Sequence, residues 1–149
     1  MSKARLTLGS CCAAHTVHDG LTDVLYVLLP VMVQTFGLNY AQVGLIRSAN
    51  KGAMAALQLP AGLLAERMGE SRLLAGGTAL AGLAFLGLGF ATGFYAILLL
   101  LFIAGIGHSF QHPLASSLIS RAYPGEGRRV ALGTYNFFGD VGKVAVAGT

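Results

Sequence analysis

Long apolar runs separated by short polar links dominate the chain. Stretches of about the 20 mainly apolar residues that a bilayer-spanning helix needs run from about 13 to 36, 40 to 65, 73 to 92 and 94 to 120. A fifth begins near Val130 and is still apolar at Thr149. The pattern predicts an all-α membrane protein in which residues 1–149 form one bundle, with four complete transmembrane helices and the start of a fifth. Gly37–Asn39 and Gly93 carry the residue types of tight turns. The links Glu66–Arg72 and Arg121–Arg129 are polar, and the second contains the turn signal Pro124-Gly125. Met1–Ser10 is short and leads straight into a polar-studded helix, without a secretory cleavage pattern.

Composition sharpens this picture. Of 149 residues, 54% are hydrophobic and 11% charged, against roughly 25% charged in soluble domains. That excludes an ordinary soluble domain, and it excludes disorder, which needs low hydrophobicity and high charge. The only cysteines, Cys11 and Cys12, are adjacent and read as small apolar helix residues rather than a disulfide framework. The net charge of +4 does not signal nucleic acid, because no basic cluster is interleaved with aromatics. With the N-terminus in the cytoplasm, Lys3, Arg5, Arg67, Arg72, Arg121, Arg128 and Arg129 all lie inside and the two outer turns carry no Lys or Arg. This obeys the positive-inside rule and predicts a multi-pass protein of the cell membrane.

The spans differ in polarity. The third has no charged residue, as a plain lipid-facing helix would. The first carries His15, His18, Asp19, Thr22, Asp23, Tyr26 and Gln34 in one sector, opposite Val17, Leu21, Val24, Leu28 and Val31. The second aligns Gly44, Arg47, Lys51, Gln58 and Gly62; the fourth aligns Gly105, His108, His112 and Ser116; the fifth aligns Gly133, Asn136, Asp140 and Lys143. A charge at mid-membrane costs roughly 2.5–3.5 kcal/mol on insertion scales. Asp19, Asp23 and Asp140 balance Arg47, Lys51 and Lys143 formally, which predicts that these groups face one another around a watery cavity. The i,i+4 spacings of Asp19/Asp23 and Arg47/Lys51 would let helices one and two meet as opposed ladders. The same pairing could instead serve only to fix helix register, and His15 and His18 could sit at the cytoplasmic interface. Pro113, after His112, marks a place where the fourth span bends.

Catalytic and metal signatures are weak. His108 and His112 have the i,i+4 spacing of two metal ligands but no acid between them, as the metalloprotease motif requires, and the expectation is no metal and no cofactor. Neither a Gly-x-Ser-x-Gly elbow nor a phosphate loop is present, so no enzyme is predicted. The pair Gly89 and Gly93 reads as a close helix contact.

The segment Gly62–Leu73, GLLAERMGESRL, resembles the signature loop of the major facilitator superfamily, roughly Gly-x-Leu-Ala-Asp-Arg-x-Gly-Arg-Lys. Gly62, Leu64, Ala65, Arg67 and Gly69 match; Glu66 replaces the usual Asp, and Glu70 and Ser71 stand where a basic pair is usual, with Arg72 nearby. His15 to Asp19 followed by Leu28-Leu29-Pro30, the stretch YAQVGL at 40–45 and the run GIGHSFQHPLASS at 105–117 are similar to the fosmidomycin-resistance group of that superfamily. The resemblance implies a twelve-helix transporter of two six-helix halves, with substrate held between them and access alternating by rocking. It implies that Gly62, Glu66, Arg67, Gly69 and Arg72 form a cytoplasmic latch that closes against the other half. Arg47 and Lys51 together depart from the drug-exporting pattern and point either to an anionic substrate or to internal pairing with Asp19 and Asp23.

The resulting expectation is a proton-coupled secondary transporter, an exporter (antiporter) of a small, anionic or drug-like molecule in a bacterial inner membrane, with antibiotic resistance among its implied roles. Asp19 and Asp23 are the candidate proton carriers, since burial favours a neutral carboxyl and a nearby base the charged one. His15, Arg47, Lys51, His108, Gln111, His112, Asn136, Asp140 and Lys143 are the candidate cavity residues. The partners implied are the substrate, the proton, the bilayer and a missing C-terminal half, since four helices and part of a fifth read as about the first third of a transporter. A non-transporting membrane assembly protein and a small dimeric multidrug exporter are the alternatives.

Overall fold

The computed structural model describes residues 2–148, all of whose regular structure is helical. The helices are α1 (Lys3–Phe36), α2 (Tyr40–Met68), α3 (Glu70–Leu88), α4 (Phe94–His108), α5 (Gln111–Ala122) and α6 (Gly127–Ala147). Local chemistry sets most of their ends. Ser2 caps α1, its Oγ accepting from the Arg5 amide at 3.4 Å. The expected turn at 37–39 is present: Gly37 closes α1 in the left-handed region (φ 62°). Asn39 then opens α2 through a reciprocal capping box with Gln42, both bonds 2.9 Å.

Three expected boundaries move. The first helix starts ten residues earlier than the apolar run, at Lys3 rather than 13, because the polar N-terminal residues make helical turns without needing lipid around them. The link Glu66–Arg72 is not an extended polar loop. Glu66 and Arg67 finish α2, Glu70–Arg72 begin α3, and Gly69 alone separates the helices, at a φ of 87° that disfavours any other residue. The single span expected over 94–120 is two helices interrupted at Ser109–Phe110. Pro113 explains the place of that interruption. Its ring has no amide to donate and opposes the carbonyl four residues back, which belongs to Ser109. The Ser109 amide bonds back to both Gly105 O (3.1 Å) and Ile106 O (3.2 Å), tightening the last turn of α4. The bend therefore falls a turn before the proline. In smaller shifts, α3 ends at Leu88 and α6 starts at Gly127.

By length and apolarity, Lys3–Phe36, Glu70–Leu88 and Phe94–Ala122 can each cross a membrane. Helices α2 and α6 are outside that set, α2 carrying Arg47, Asn50, Lys51 and Gln58 and α6 carrying Asn136, Asp140 and Lys143. The bundle buries a set of polar side chains among its apolar core and leaves large apolar side chains on its surface. Leu59 is 87% exposed and Phe90 86%, whereas His15, His18, Asp19, Asn50, His108 and Gln111 are all buried. Such an arrangement is unfavourable in water and natural in lipid.

Helix α1 packs on α6 and α5, and α4 packs on α2 and α3. Two apolar clusters mark the ends of the bundle. One joins Leu25, Leu29, Ile46, Leu88, Ile97 and Leu101; the other joins Cys11, Cys12, Leu74, Ala115, Ile119 and Tyr135. In chain order along α1, α3 and α4–α5, the stretch between the clusters holds the buried histidines and Asp19, and with them the glycines of closest approach. A methyl group on Gly77 would lie 2.6 Å from the Gly107 carbonyl oxygen, and one on Gly139 2.5 Å from His15 Cε1. Glycine here lets backbones meet around polar groups. At the same level Asn50 Nδ2 donates to Leu101 O at 2.7 Å, tying α2 to α4. Asn50→Ala is expected to lower stability by about 0.6–1.7 kcal/mol, the scale of such bonds between membrane helices, read as an earlier midpoint in detergent unfolding titrations.

Candidate functional site

The site grows from one turn of α1. His15, His18 and Asp19 project to the same side because they are three and four residues apart. Helix α5 brings His112 to them, α4 brings His108, and α6 brings Tyr135 and Lys143. The four imidazoles form one cluster. Ring centroids are 4.4 Å apart for His18–His108, 5.0 Å for His18–His112, 5.2 Å for His15–His112 and 6.2 Å for His15–His18. Tyr135 stacks on His15 at 4.0 Å with a 13° tilt. His15 Nδ1 lies 2.9 Å from the Tyr135 carbonyl oxygen. A carbonyl only accepts, so this nitrogen carries a proton, and in the neutral ring Nε2 holds the lone pair.

Asp19 is the charge centre of the cluster. Its Oδ1 lies 3.4 Å from His15 Nε2 and 3.7 Å from His18 Nε2, and its Oδ2 lies 3.2 Å from Lys143 Nζ. Lys143 also bonds Asp140 Oδ1 at 2.9 Å, on the exposed side of α6. The expected ladder of Asp19 and Asp23 against Arg47 and Lys51 is therefore not formed. Asp19 is matched by Lys143 of α6, because α6 and not α2 is the close neighbour of α1. Asp23 is half-buried and makes no ion pair among the described residues.

Arg47 and Lys51 belong to a second, adjoining feature. With Asn50 they face Thr22, Leu25 and Tyr26 across a narrow recess between α1 and α2, closed in this state to anything the size of a water molecule. The Arg47 guanidinium sits 4.3 Å over the Tyr26 ring, a cation–π contact that orients it without neutralising it. Neither Arg47 nor Lys51 has an acidic partner among the described residues. Thr22 links the two features, its hydroxyl 3.5 Å from His108 Nδ1.

The remaining expected residues divide. Gln111 is buried beside the cluster, while Asn136 and Asp140 are exposed on α6 and are not drawn in. Glu66, Arg67 and Arg72 are exposed at the α2–α3 end, with Gly62 and Gly69. Glu66 and Arg67 border a groove with Pro60, Leu64 and Phe110. Glu70, which departs from the signature pattern, forms an ion pair with Arg121 and accepts from Ser117 Oγ at 2.8 Å, joining α3 to α5. Tyr135, Gly139 and Glu70 are contributors that the amphipathic stripes did not single out. Tyr135 looked like one more apolar position, and Gly139 matters only through what it lets approach.

An apolar-surfaced helical bundle enclosing a charged centre defines a multi-pass membrane protein. The chain belongs to the major facilitator superfamily: the description of that family matches residues 11–148. Across 138 residues it is 27% identical to YfnC of Bacillus subtilis, an MFS-type transporter, covering 93% of this chain and 33% of that protein. It is 32% identical over 107 residues to the 4-hydroxybenzoate transporter PcaK of Pseudomonas aeruginosa, covering 71% of this chain and 24% of that one. With the probable sulfoacetate transporter SauU of Cupriavidus necator it shares 29% identity over 116 residues, 78% of this chain and 27% of that protein. The chain thus spans a third or less of the length of these relatives. The family is one of membrane transporters for small molecules.

Proposed function

We propose that this chain lines the N-terminal side of a proton-coupled secondary transporter for a small organic anion, with Arg47 and Lys51 as the anion contacts. The observation that carries the reading is the recess between α1 and α2. Two cations, half-buried Arg47 and exposed Lys51, stand there without an acidic partner among the described residues, and with polar Thr22, Tyr26 and Asn50 around them. An uncompensated charge in a membrane is costly and marks a ligand pathway; a carboxylate or sulfonate would supply the missing negative charge. That two relatives are named as transporters of 4-hydroxybenzoate and of sulfoacetate, both organic anions, supports the same class.

Of the two proton-carrier candidates, Asp23 fits better than Asp19. Protonating Asp19 would cost Lys143 its buried partner and leave it only the exposed Asp140, whereas Asp23 can gain and lose a proton without disturbing an ion pair among the described residues. His108, Gln111 and His112 continue the cavity wall. Asp140 and Lys143 would act through Asp19, and Asn136 would face outward. Glu66, Arg67 and Arg72 with Gly62 and Gly69 form the cytoplasmic latch, with the N-terminus on the cytoplasmic side of a bacterial inner membrane. The likeness of the first and fourth spans to the fosmidomycin-resistance group supports export, and with it a role as a resistance antiporter. The full gene product, reconstituted in vesicles, should move labelled 4-hydroxybenzoate or sulfoacetate when a pH gradient is imposed. A protonophore should remove that accumulation; transport that continues unchanged would refute proton coupling.

A further inference from the structure

We propose that His15, Asp19 and His112 form a binding site for a divalent first-row transition-metal ion of the Zn²⁺ class, joining α1 to α5. One ligand atom from each residue lies within 4.8 Å of the others. The spacing within α1 supplies two of them on one face, and α5 supplies the third from a helix about a hundred residues later, so the i,i+4 pair His108/His112 is not the pair that closes.

The hydrogen bonding around His15 carries the argument. Its Nδ1–H is committed to the Tyr135 carbonyl at 2.9 Å. Such a bond from the second ring nitrogen is what orients metal-ligating histidines and raises their basicity. The other nitrogen, Nε2, is then a lone-pair atom. It has no hydrogen-bond partner, in a residue only 3% exposed, and it faces Asp19 Oδ1 at 3.4 Å. In the neutral ring the two acceptors repel unless a proton or a metal ion lies between them, and the convergence of His112 on the same point suits a metal ion. His112 stands at right angles to His15, ring planes 89° apart, so its nitrogen approaches the same point from a different direction.

The donor set selects the ion. Two imidazoles and one carboxylate favour Zn²⁺, Ni²⁺ or Co²⁺ over Mg²⁺ or Ca²⁺, which prefer all-oxygen shells. His18, with Nε2 3.7 Å from the same Oδ1, is within reach as a fourth ligand. Lys143 does not block the site. It pairs with Oδ2, whereas Oδ1 is the oxygen facing the His15 and His18 Nε2 atoms, and it has a second partner in Asp140. Its charge nevertheless opposes a cation nearby, so metal and Lys143 compete for Asp19. Gly139 closes over the set, where a side chain would strike both His15 and Asp19. The site is separate from the anion recess and stands whether or not that recess binds substrate.

The test uses the full gene product, purified without a polyhistidine tag in detergent, titrated with Co²⁺ by visible absorption and with Zn²⁺ by equilibrium dialysis. One equivalent should bind, with Co²⁺ giving the d–d bands of a nitrogen-containing site. His15→Gln and His112→Gln should each weaken binding by at least the roughly 10- to 100-fold that losing a mere supporting partner costs. Lys143→Met should tighten it by about tenfold by removing a repelling charge. That gain could not come from misfolding. Absence of a stoichiometric ion, or binding that is unmoved by both histidine substitutions, would overturn the proposal.

Discussion

Replacing Arg47 and Lys51 together with glutamine is expected to abolish anion transport while leaving the bundle assembled. Each cation that meets a carboxylate or sulfonate through a charge-assisted hydrogen bond contributes about 1.5–3 kcal/mol, or roughly 10- to 150-fold in affinity. Loss of one should therefore raise the half-saturating concentration by one to two orders of magnitude, and loss of both should take binding below detection. The two positions should not be equivalent. Arg47 is oriented by its contact with Tyr26, so Arg47→Lys keeps the charge but loses the planar fork and the stacking. It should recover only part of the activity. Because neither cation has an acidic partner among the described residues, neutralising them strands no partner charge in the protein. Melting temperature should be unchanged or raised. Transport measured alongside thermal stability separates a ligand contact from a structural pair.

A large structural loss is expected at Gly107, which with Gly105 and Gly142 is among the glycines whose added methyl would strike backbone. A methyl group there would lie 2.5 Å from the Gly77 carbonyl oxygen and 2.8 Å from the Ala81 amide nitrogen. Backbone stands on both sides, and neither side can rotate away as a long side chain could. Overpacking in a close-packed interior costs typically about 1–3 kcal/mol; Gly107→Ala should reach the top of that range, and Gly107→Leu should exceed it by forcing α3 and α4 apart. Gly82, in the same helix as Gly77 but with nothing within 4 Å of an added methyl, is the comparison. Gly82→Ala should be neutral or stabilising by up to about 1 kcal/mol, the helix-propensity gain. Thermal unfolding of the three variants in detergent reads the difference directly.

The contrast between these two positions shows what the sequence could and could not disclose. Helices, their membrane character and the turn at 37–39 follow from apolar run length, Gly37 and Asn39, all local properties. The break at Ser109–Phe110 was legible only as a proline nearby, because Pro113 acts on a carbonyl four residues earlier. The partner of Asp19 was not legible at all. An amphipathic stripe says that a helix face is polar, but not which helix it meets, and the neighbour of α1 turned out to be α6. That is why Arg47 and Lys51, apparently paired by spacing with Asp19 and Asp23, are instead directed at a recess. It is also why the approach of His112 to His15 was hidden: the two residues lie on separate helices and become a set only through packing. The same holds for Glu70, a departure from the family pattern as a sequence and an ion-pair partner of Arg121 once α3 and α5 are in contact.

The two polar features divide the labour of the interior. On one side, Asp19 is saturated by Lys143 and ringed by imidazoles; on the other, Arg47 and Lys51 wait with excess positive charge. A transporter needs a ligand site whose charge is completed by its cargo, and it needs charges that are already balanced to hold the empty bundle together. On the proposed reading these are the two features that lie within a few turns of each other on α1, with Thr22 between them.

Counterflow tests the central claim most directly. Vesicles containing the full gene product and loaded with unlabelled aromatic carboxylate or aliphatic sulfonate are diluted into a trace of the same labelled anion, with no ion gradient imposed. The account predicts a transient accumulation of label that is absent with an uncharged isostere of the same anion and absent in the Arg47→Gln, Lys51→Gln variant. Equal accumulation of the uncharged isostere, or full activity in that variant, would contradict it.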